Sequence, residues 1–310
     1  MNSSIVVIGS SNTDMVIKAD HLPAAGETIL GGTFFMNHGG KGANQAVAAA
    51  RLGGNVIFIA KTGNDFLGQE ARKMFEKENI NTSHILTDPA LPSGVALITV
   101  DKNGENNIVV APGANDSLLP DDLIEVRALL KNTSIVLVQL EIPLVTVEFI
   151  AGQSTQRGAK MILNPAPARG LPDSLLRQLF VITPNEKEAG MLCGLEVINL
   201  ATAKEAAQKI IERGVQNVII TLGANGALVF SNGKFTHVPA SEVTAIDTTA
   251  AGDVFNGALA VALSEGYDLV PATEFACKAA AISVTRLGAL QSAPTYEEVK
   301  SFVNVAHSVL

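Results

Sequence analysis

The sequence predicts an α/β fold: a doubly wound, largely parallel central sheet with helices on both faces. Two observations carry that expectation. Short runs of consecutive apolar residues recur along the chain, and stretches with the 3.6-residue apolar period fill the gaps between them. A third observation says where a ligand sits, because polar residues gather just past the ends of those runs.

In chain order the runs are Ile5–Ile8, Val56–Ile59, Ile135–Val138, Met161–Leu163, Val181–Ile182 and Val218–Ile220. A strand that is apolar on both faces is covered on both faces, as in a parallel sheet. The helix-period stretches between them include Ala43–Leu52, Leu67–Lys77, Asp121–Leu130 and Ala203–Arg213. Such alternation implies crossover connections and two helical layers. Past the runs stand Asn12 and Asp14, then Gln139 and Glu141, then Asn164, Asn185, and Thr221 with Gly223. Loops are polar in any protein, which explains one or two of these; the repetition favours a ligand cleft at the carboxyl ends of the strands.

Two segments fall outside the rhythm. Gly94–Val100, the turn Asp101-Lys-Asn-Gly104 and Asn107–Ala111 read as a hairpin. Met15–Ala19 and Thr28–Met36 flank the turn Pro23-Ala-Ala-Gly26 and read as another strand pair. We expect these segments, near 14–37 and 94–111, to form a small sheet that covers the cleft as a lid. Val95–Val100 is apolar on both faces, so a homodimer through the lid sheets is also expected. The chain as a whole, 1–310, reads as one domain without repeats, low-complexity tracts or long linkers.

At 310 residues and 47% hydrophobic content the chain has ample material for a large core. A net charge of −8 argues against nucleic acid or an anionic membrane as a partner held by bulk electrostatics. A phosphate held locally by backbone amides and one or two cations stays compatible with it. The start lacks the basic region of a secretory signal, and no apolar run reaches the roughly 18 residues of a membrane span. A cytoplasmic, soluble protein is the expectation. Cys193 and Cys277 have neither metal nor redox spacing and read as free core thiols.

The chemistry concentrates in Asp247-Thr-Thr-Ala-Ala-Gly-Asp-Val-Phe-Asn-Gly-Ala-Leu259. A helix start exposes N–H groups to an anion, and Asp253 stands beside them where it can take a proton from a hydroxyl. Anion cradle and base together suggest phosphoryl transfer to an alcohol. The alternative is that Asp253 merely caps the helix. A carboxylate at such a site is expected to have a lowered pKa.

His38-Gly-Gly-Lys-Gly-Ala-Asn-Gln45 opens a second small-residue helix, with Lys41 and Asn44 suited to sugar hydroxyls or, equally, with its glycines serving only a tight turn. It is not a Walker A loop, since Phe35 replaces the required glycine and no Ser or Thr follows Lys41. Asn12-Thr-Asp14 offers an amide and a carboxylate to vicinal hydroxyls. Asn185-Glu-Lys-Glu188 suits either hydrated Mg²⁺ with phosphate or a solvated helix start. Thr221-Leu-Gly-Ala-Asn-Gly226 suits either a nucleotide or a plain β-turn.

Together these segments resemble the ribokinase-like (phosphofructokinase-B) family of sugar kinases over nearly the whole chain, to Arg286-Leu-Gly-Ala289. His38–Gly54 is similar to that family's N-terminal signature and Asp247–Leu259 to its C-terminal one. Asn164-Pro-Ala-Pro-Ala168 and Thr183-Pro-Asn-Glu186 agree with it. The resemblance implies ATP-dependent phosphorylation of D-ribose at O5, with deoxyribose, a nucleoside or another sugar as alternative acceptors. A silent sugar-binding regulator is a further alternative.

The resemblance further implies that Asp253 is the base and that Ala250, Ala251 and Gly252 form an anion hole. Asn12, Asp14, Gly40, Lys41, Asn44 and Glu141 would hold the sugar. Asn185, Thr221, Gly223, Gly226 and Gly252 would meet ATP, with Cys277 at a position near the adenine. Glu188 would help order Mg²⁺. Asp247, Thr249, Ser283, Arg286, Gly288 and Ser292 would surround a monovalent cation, K⁺, mostly through backbone carbonyls.

Overall fold

A computed structural model describes residues 4–302. Residues 1–3 and 303–310 of the expected 1–310 domain lie outside that range. The strands of the first half are β1 (Ser4–Ile8), β2 (Asn12–Lys18), β3 (Thr33–Gly39), β4 (Asn55–Gly63), β5 (Ile85–Asp88), β6 (Gly94–Val100), β7 (Asn106–Ala111) and β8 (Thr133–Val138). Those of the second half are β9 (Lys160–Leu163), β10 (Val181–Ile182), β11 (Val218–Thr221), β12 (Ala227–Ser231) and β13 (Lys234–Val238). The helices are α1 (Lys41–Arg51), α2 (Phe66–Lys77), α3 (Leu144–Arg157), α4 (Asp173–Leu176), α5 (Glu186–Cys193), α6 (Leu200–Glu212), α7 (Ala251–Ser264), α8 (Leu269–Ser283) and α9 (Tyr296–Ser301).

Nine strands form the large sheet in the order β13-β12-β11-β10-β9-β8-β1-β4-β5. All its pairs are parallel except β11 with β12 and β12 with β13. The predicted runs all lie inside these strands. Alternation assigns their side chains: Ile5 and Val7 face a core shared with α1, α7 and α8, while Val6 and Ile8 face one shared with α3, α5 and α6. Both faces are therefore dry, which is why the runs show no polar alternation. The chain leaves β1 toward β4 on one side and builds outward from β8 on the other. The crevice at that reversal, past the carboxyl ends of β1 and β8, is where open α/β sheets take ligands.

On the first of these cores α1 and α7 meet without intervening side chains. A Cβ on Gly257 would lie 2.8 Å from the Ala48 Cβ, 2.8 Å from the Gln45 carbonyl oxygen and 2.9 Å from the Ala49 nitrogen. The small-residue run of α1, buried throughout Ala43–Ala49, is thus a packing surface for α7.

The small sheet has the order β3-β2-β6-β7. Its register places Asn12, Asp14 and Val16 on one face with Gly94, Ala96 and Ile98. Met15 and Ile17 lie on the other, in line with Met36, Phe34 and Leu97. Expected boundaries move in three places. Asn12 and Asp14 belong to β2 rather than to a loop, since they pair with Gly39 and Asn37. β3 starts at Thr33 because Gly31 and Gly32, with φ of 110° and 96°, leave the extended region. The stretch predicted as a helix over 121–130 forms 3₁₀ turns, Pro120–Leu123 and Glu125–Asn132. Over two turns a period of 3.0 and one of 3.6 give nearly the same apolar pattern, so periodicity does not separate them. Among the described residues no helix is long and apolar enough to cross a membrane.

Candidate active site

Residues at the start of α7 and residues from the start of α1 meet at the crevice. Ala250 is the N-cap of α7, in the left-handed region at φ 59°, and no side chain caps this helix. Asp253, in the first turn, turns its carboxylate away from its own backbone. Its Oδ2 accepts from the Asn44 side-chain amide and its Oδ1 from that of Gln45, each at 2.9 Å. The capping alternative is thereby excluded. The expected direction of its pKa is overturned as well. Burial raises it, and although Lys41, Asn44 and Gln45 favour the ionised form they do not compensate. A helix terminus stabilises an exposed carboxylate by about 0.3–1 kcal/mol, less than the cost of removing one from water.

The cavity is lined by Lys41, Asp253, Ala250, Ala251, Gly252 and Thr248 on this side. Asn164, Ala166, Thr183, Asn185, Glu188, Thr221 and Asn256 complete the wall. In the first turn of α7 the N–H groups find no intrahelical carbonyl. Ala251 uses its own on Thr248 O at 3.3 Å. Lys41 is raised in pKa: burial works against its charge, but Asp253, Glu141 and Glu188 outweigh it. Lys41 is thus held as a charged donor at the cavity wall by the three carboxylates around it.

On the side of the small sheet, Asn12 is buried and its Oδ1 accepts from Asn115 Nδ2 at 2.8 Å, which leaves the Asn12 amide hydrogens for a ligand. Asp14 has its pKa raised to about 6, by burial and then by Glu141. Glu141 accepts from Ser10 Oγ at 2.6 Å and from the Lys41 N–H at 3.0 Å, tying the ends of β1, α1 and β8 together. Gly40, at φ 91°, brings the chain against the backbone of Ser10 and Asn12, so its tight approach is to the protein itself. Asn44 Oδ1 is buried with no partner among the described residues, as a group awaiting a hydroxyl donor would be.

On the opposite side Asn185 and Glu188 form a capping box: Asn185 Oδ1 accepts the Glu188 N–H, and Glu188 accepts the Asn185 N–H, both at 2.9 Å. Burial raises the Glu188 pKa despite that bond and the nearby Lys41. Thr221 lines the cavity, while Gly223 and Gly226 form the turn after it. Gly226, at φ 85°, packs on the Val238 carbonyl, so its glycine is required by the fold. Cys277 belongs to the core packed under α8 and is not among the cavity-lining residues; burial pushes its thiol up to about 12.

The two loops expected around a monovalent cation do converge. Val284 O accepts from the N–H groups of Ile246 and Asp247, and Asp247 accepts from those of Thr249 and Gly288. Those bonds outweigh burial and lower the Asp247 pKa. Arg286 pairs with Glu298 at 2.6 Å, and the Ser283 and Ser292 hydroxyls bond to carbonyls of their own turns. What these loops offer a cation is one carboxylate and main-chain carbonyls.

A model of the pfkB family of carbohydrate kinases matches residues 2–296. The chain belongs to the pfkB family. It is 44% identical to a ribokinase of Haemophilus influenzae over 99% of this chain and 100% of that one. It is also 36% identical to a deoxyribokinase of Salmonella typhi, over 97% of this chain and 99% of the other. Among solved structures, the Arabidopsis thaliana ribokinase complexed with ribose and ATP matches at a TM-score of 0.92 and 30% identity, covering 98% of this chain and 100% of that one.

In this pfkB-family kinase several site residues escaped assignment from sequence. Gln45, Gln139, Thr183 and Asn256 are buried polar groups within hydrogen-bonding reach of the site. Gln139, like Asn164, was placed at the cleft by sequence as the first polar residue after its strand, but was given no role. Asn256 carried a usable signal, being a lone amide within an apolar helix three residues after Asp253. Asn115 had none, since only the fold brings it to Asn12.

Proposed function

We propose that the protein transfers the γ-phosphoryl group of ATP to O5 of D-ribose, giving ribose 5-phosphate and ADP. The observation that carries this reading is Asp253, buried, held through both oxygens and placed in the first turn of an uncapped helix beside Lys41. Asn12, Asp14, Asn44 and Glu141 hold the sugar with O5 toward Asp253. Asn185, Thr221 and the 223–226 turn meet the nucleotide. The bond from O5 to phosphorus forms as that to the β,γ-bridging oxygen breaks, and the O5 proton passes to Asp253. In a loose transition state that proton leaves late, so a modest base suffices. The amides of Ala250 and Gly252, with Lys41, receive the charge of the phosphoryl group, and Ala251 joins them by giving up its 3.3 Å bond to Thr248 O.

Glu188 is a buried carboxylate at the cavity, a group that fits the hydration shell of Mg²⁺; bound there with ATP, the ion supplies charge neutralisation at the phosphates. The carbonyl-rich loops at 247–249 and 283–292, with the Asp247 carboxylate, fit a weakly hydrated K⁺, which supplies positive charge behind the anion hole. Cys277 would act near the adenine only through the wall of α8. We further read 1–310 as one kinase domain with the small sheet as its lid, acting in the cytoplasm as a homodimer. The apolar face carrying Phe34 and Leu97, 57% and 54% exposed, supports the dimer.

The test is a panel of kcat/KM values for ribose, deoxyribose, adenosine and fructose, read as ADP release. Preference for ribose is expected, because an acceptor lacking a hydroxyl leaves a buried polar partner unpaired. A preference for deoxyribose would favour the activity of the Salmonella typhi relative. Ribose binding without ADP would favour a regulator.

A further inference from the structure

We propose that Gln45 is a positioning residue that orients the carboxylate of Asp253 from a place no substrate reaches. The inference rests on the reading of Asp253 as proton acceptor. Gln45 sits on α1 with no exposed surface, and its Nε2 donates to Asp253 Oδ1 at 2.9 Å and to Asn164 Oδ1 at 3.0 Å. Its neighbour Asn44 takes the other carboxylate oxygen. The two amides therefore fix the plane of the carboxylate. They are not equivalent: Asn44 has an unpartnered oxygen, whereas both ends of Gln45 are engaged within the protein.

Those partners also decide which way the Gln45 amide points. Gln139 Nε2 donates to Gln45 Oε1, so a flipped Gln45 would set its oxygen against a carboxylate and an amide oxygen and its NH₂ against another NH₂. Gly9 makes the room Gln139 needs, since a Cβ there would fall on Gln139 Oε1, which has no partner among the described residues; the orientation of Gln45 is therefore set by Asp253 and Asn164. From Asn164 the chain runs on: its amide reaches Thr183 O at 3.4 Å, the Thr183 hydroxyl donates to Asn256 Oδ1 at 2.6 Å, and Asn256 donates to Gly252 O at 2.8 Å. A single buried network thus grips both Asp253 and the turn just before it, from the ends of β8, β9 and β10.

An amide donor to a buried carboxylate favours its ionised form. The charged groups facing Asp253 are Lys41 from α1, Glu141 beyond β8 and Glu188 from α5. None of them occupies the place of Gln45, so its loss is not made good by a neighbouring cation.

The test compares Gln45→Met with the wild type by two readouts. One is kcat against pH at saturating ribose and ATP; the other is the infrared titration of the Asp253 carboxyl in substrate-free protein, identified by its loss in Asp253→Asn. Loss of a hydrogen bond to a charged group is expected to move both upward by about one to two pH units, with KM for both substrates changed less than about threefold, the mark of a group that makes no substrate contact. Gln139→Met, which removes the donor to Gln45 Oε1, is expected to shift both in the same direction by less, and it carries the test if Gln45→Met does not fold. An unmoved Asp253 titration in a folded variant overturns the proposal. A wild type that forms no ADP with ribose overturns the functional reading instead, and leaves the titration readable.

Discussion

Asn44 and Asp253 stand 209 positions apart in the chain and share a 2.9 Å hydrogen bond. The glycine-rich helix start near the beginning and the aspartate motif near the end are therefore two walls of one site. Removing water from between them is what raises Asp253 in pKa and makes the surrounding amides necessary.

Asp253→Asn is expected to lower kcat by about 10²–10⁴-fold, the usual weight of a positioned general base. Nucleotide affinity, measured by titration with a fluorescent ATP analogue, should stay within a few-fold of wild type, since the proposed role sets the carboxylate against the acceptor and not the nucleotide. Near wild-type turnover would remove Asp253 from the mechanism.

Asp14 gives a pH dependence of definite sign. Its folded pKa of about 6 lies above the ordinary value of 3.8, so the folded state holds the additional proton between those values and stability falls as pH rises through that window. Asp14→Asn should raise the urea midpoint at pH 7 and leave it nearly unchanged at pH 4. On the proposed sugar-binding role the ionised carboxylate accepts hydroxyls, so kcat/KM for ribose should fall below about pH 6, and the variant should lose the part of that limb due to Asp14 and keep the part due to Asp253.

Gly39→Ala tests the same carboxylate by shape. A Cβ there would fall on both oxygens of Asp14, which must then rotate away. KM for ribose is expected to rise by about tenfold or more, the weight of one hydrogen bond to a charged group, with kcat at saturation reduced far less. An equal loss in both would mean that the substitution disturbs the chemistry instead.

The outer face of the small sheet provides the oligomer test. Leu97 and Val109 are cross-strand neighbours, 54% and 68% exposed. Leu97→Glu should turn a dimer into a monomer in gel filtration with light scattering, and a wild-type monomer at micromolar concentration would refute the proposed assembly.

Much of the large sheet was legible because burial on both faces leaves an unmistakable mark, as in Ile5–Ile8 and Ile135–Val138. Chain positions past the strand ends were legible for the same reason. What the pattern could not carry were effects that depend on three-dimensional enclosure. The helix-terminus argument for Asp253 was sound for an exposed turn and failed because α1 closes over it. Gln45 looked like one more residue in a small-residue helix until its partners just past β8 and β9 were in place. The 3₁₀ turns at 120–132 were hidden by a pattern common to both helix types.

Gly257 has a consequence for how such chains can be recombined. The contact it permits is with main-chain atoms of Gln45 and Ala49, and no change of side chain on α1 can make room there. The spacing between Asp253 and its amide partners, one turn away on each helix, is therefore written jointly in two segments at opposite ends of the gene product. A chimera whose α7 brings anything larger than glycine to position 257 would keep both motifs intact and still mis-set that distance. Exchange of the two helices as a pair carries the matching contact along with the motifs.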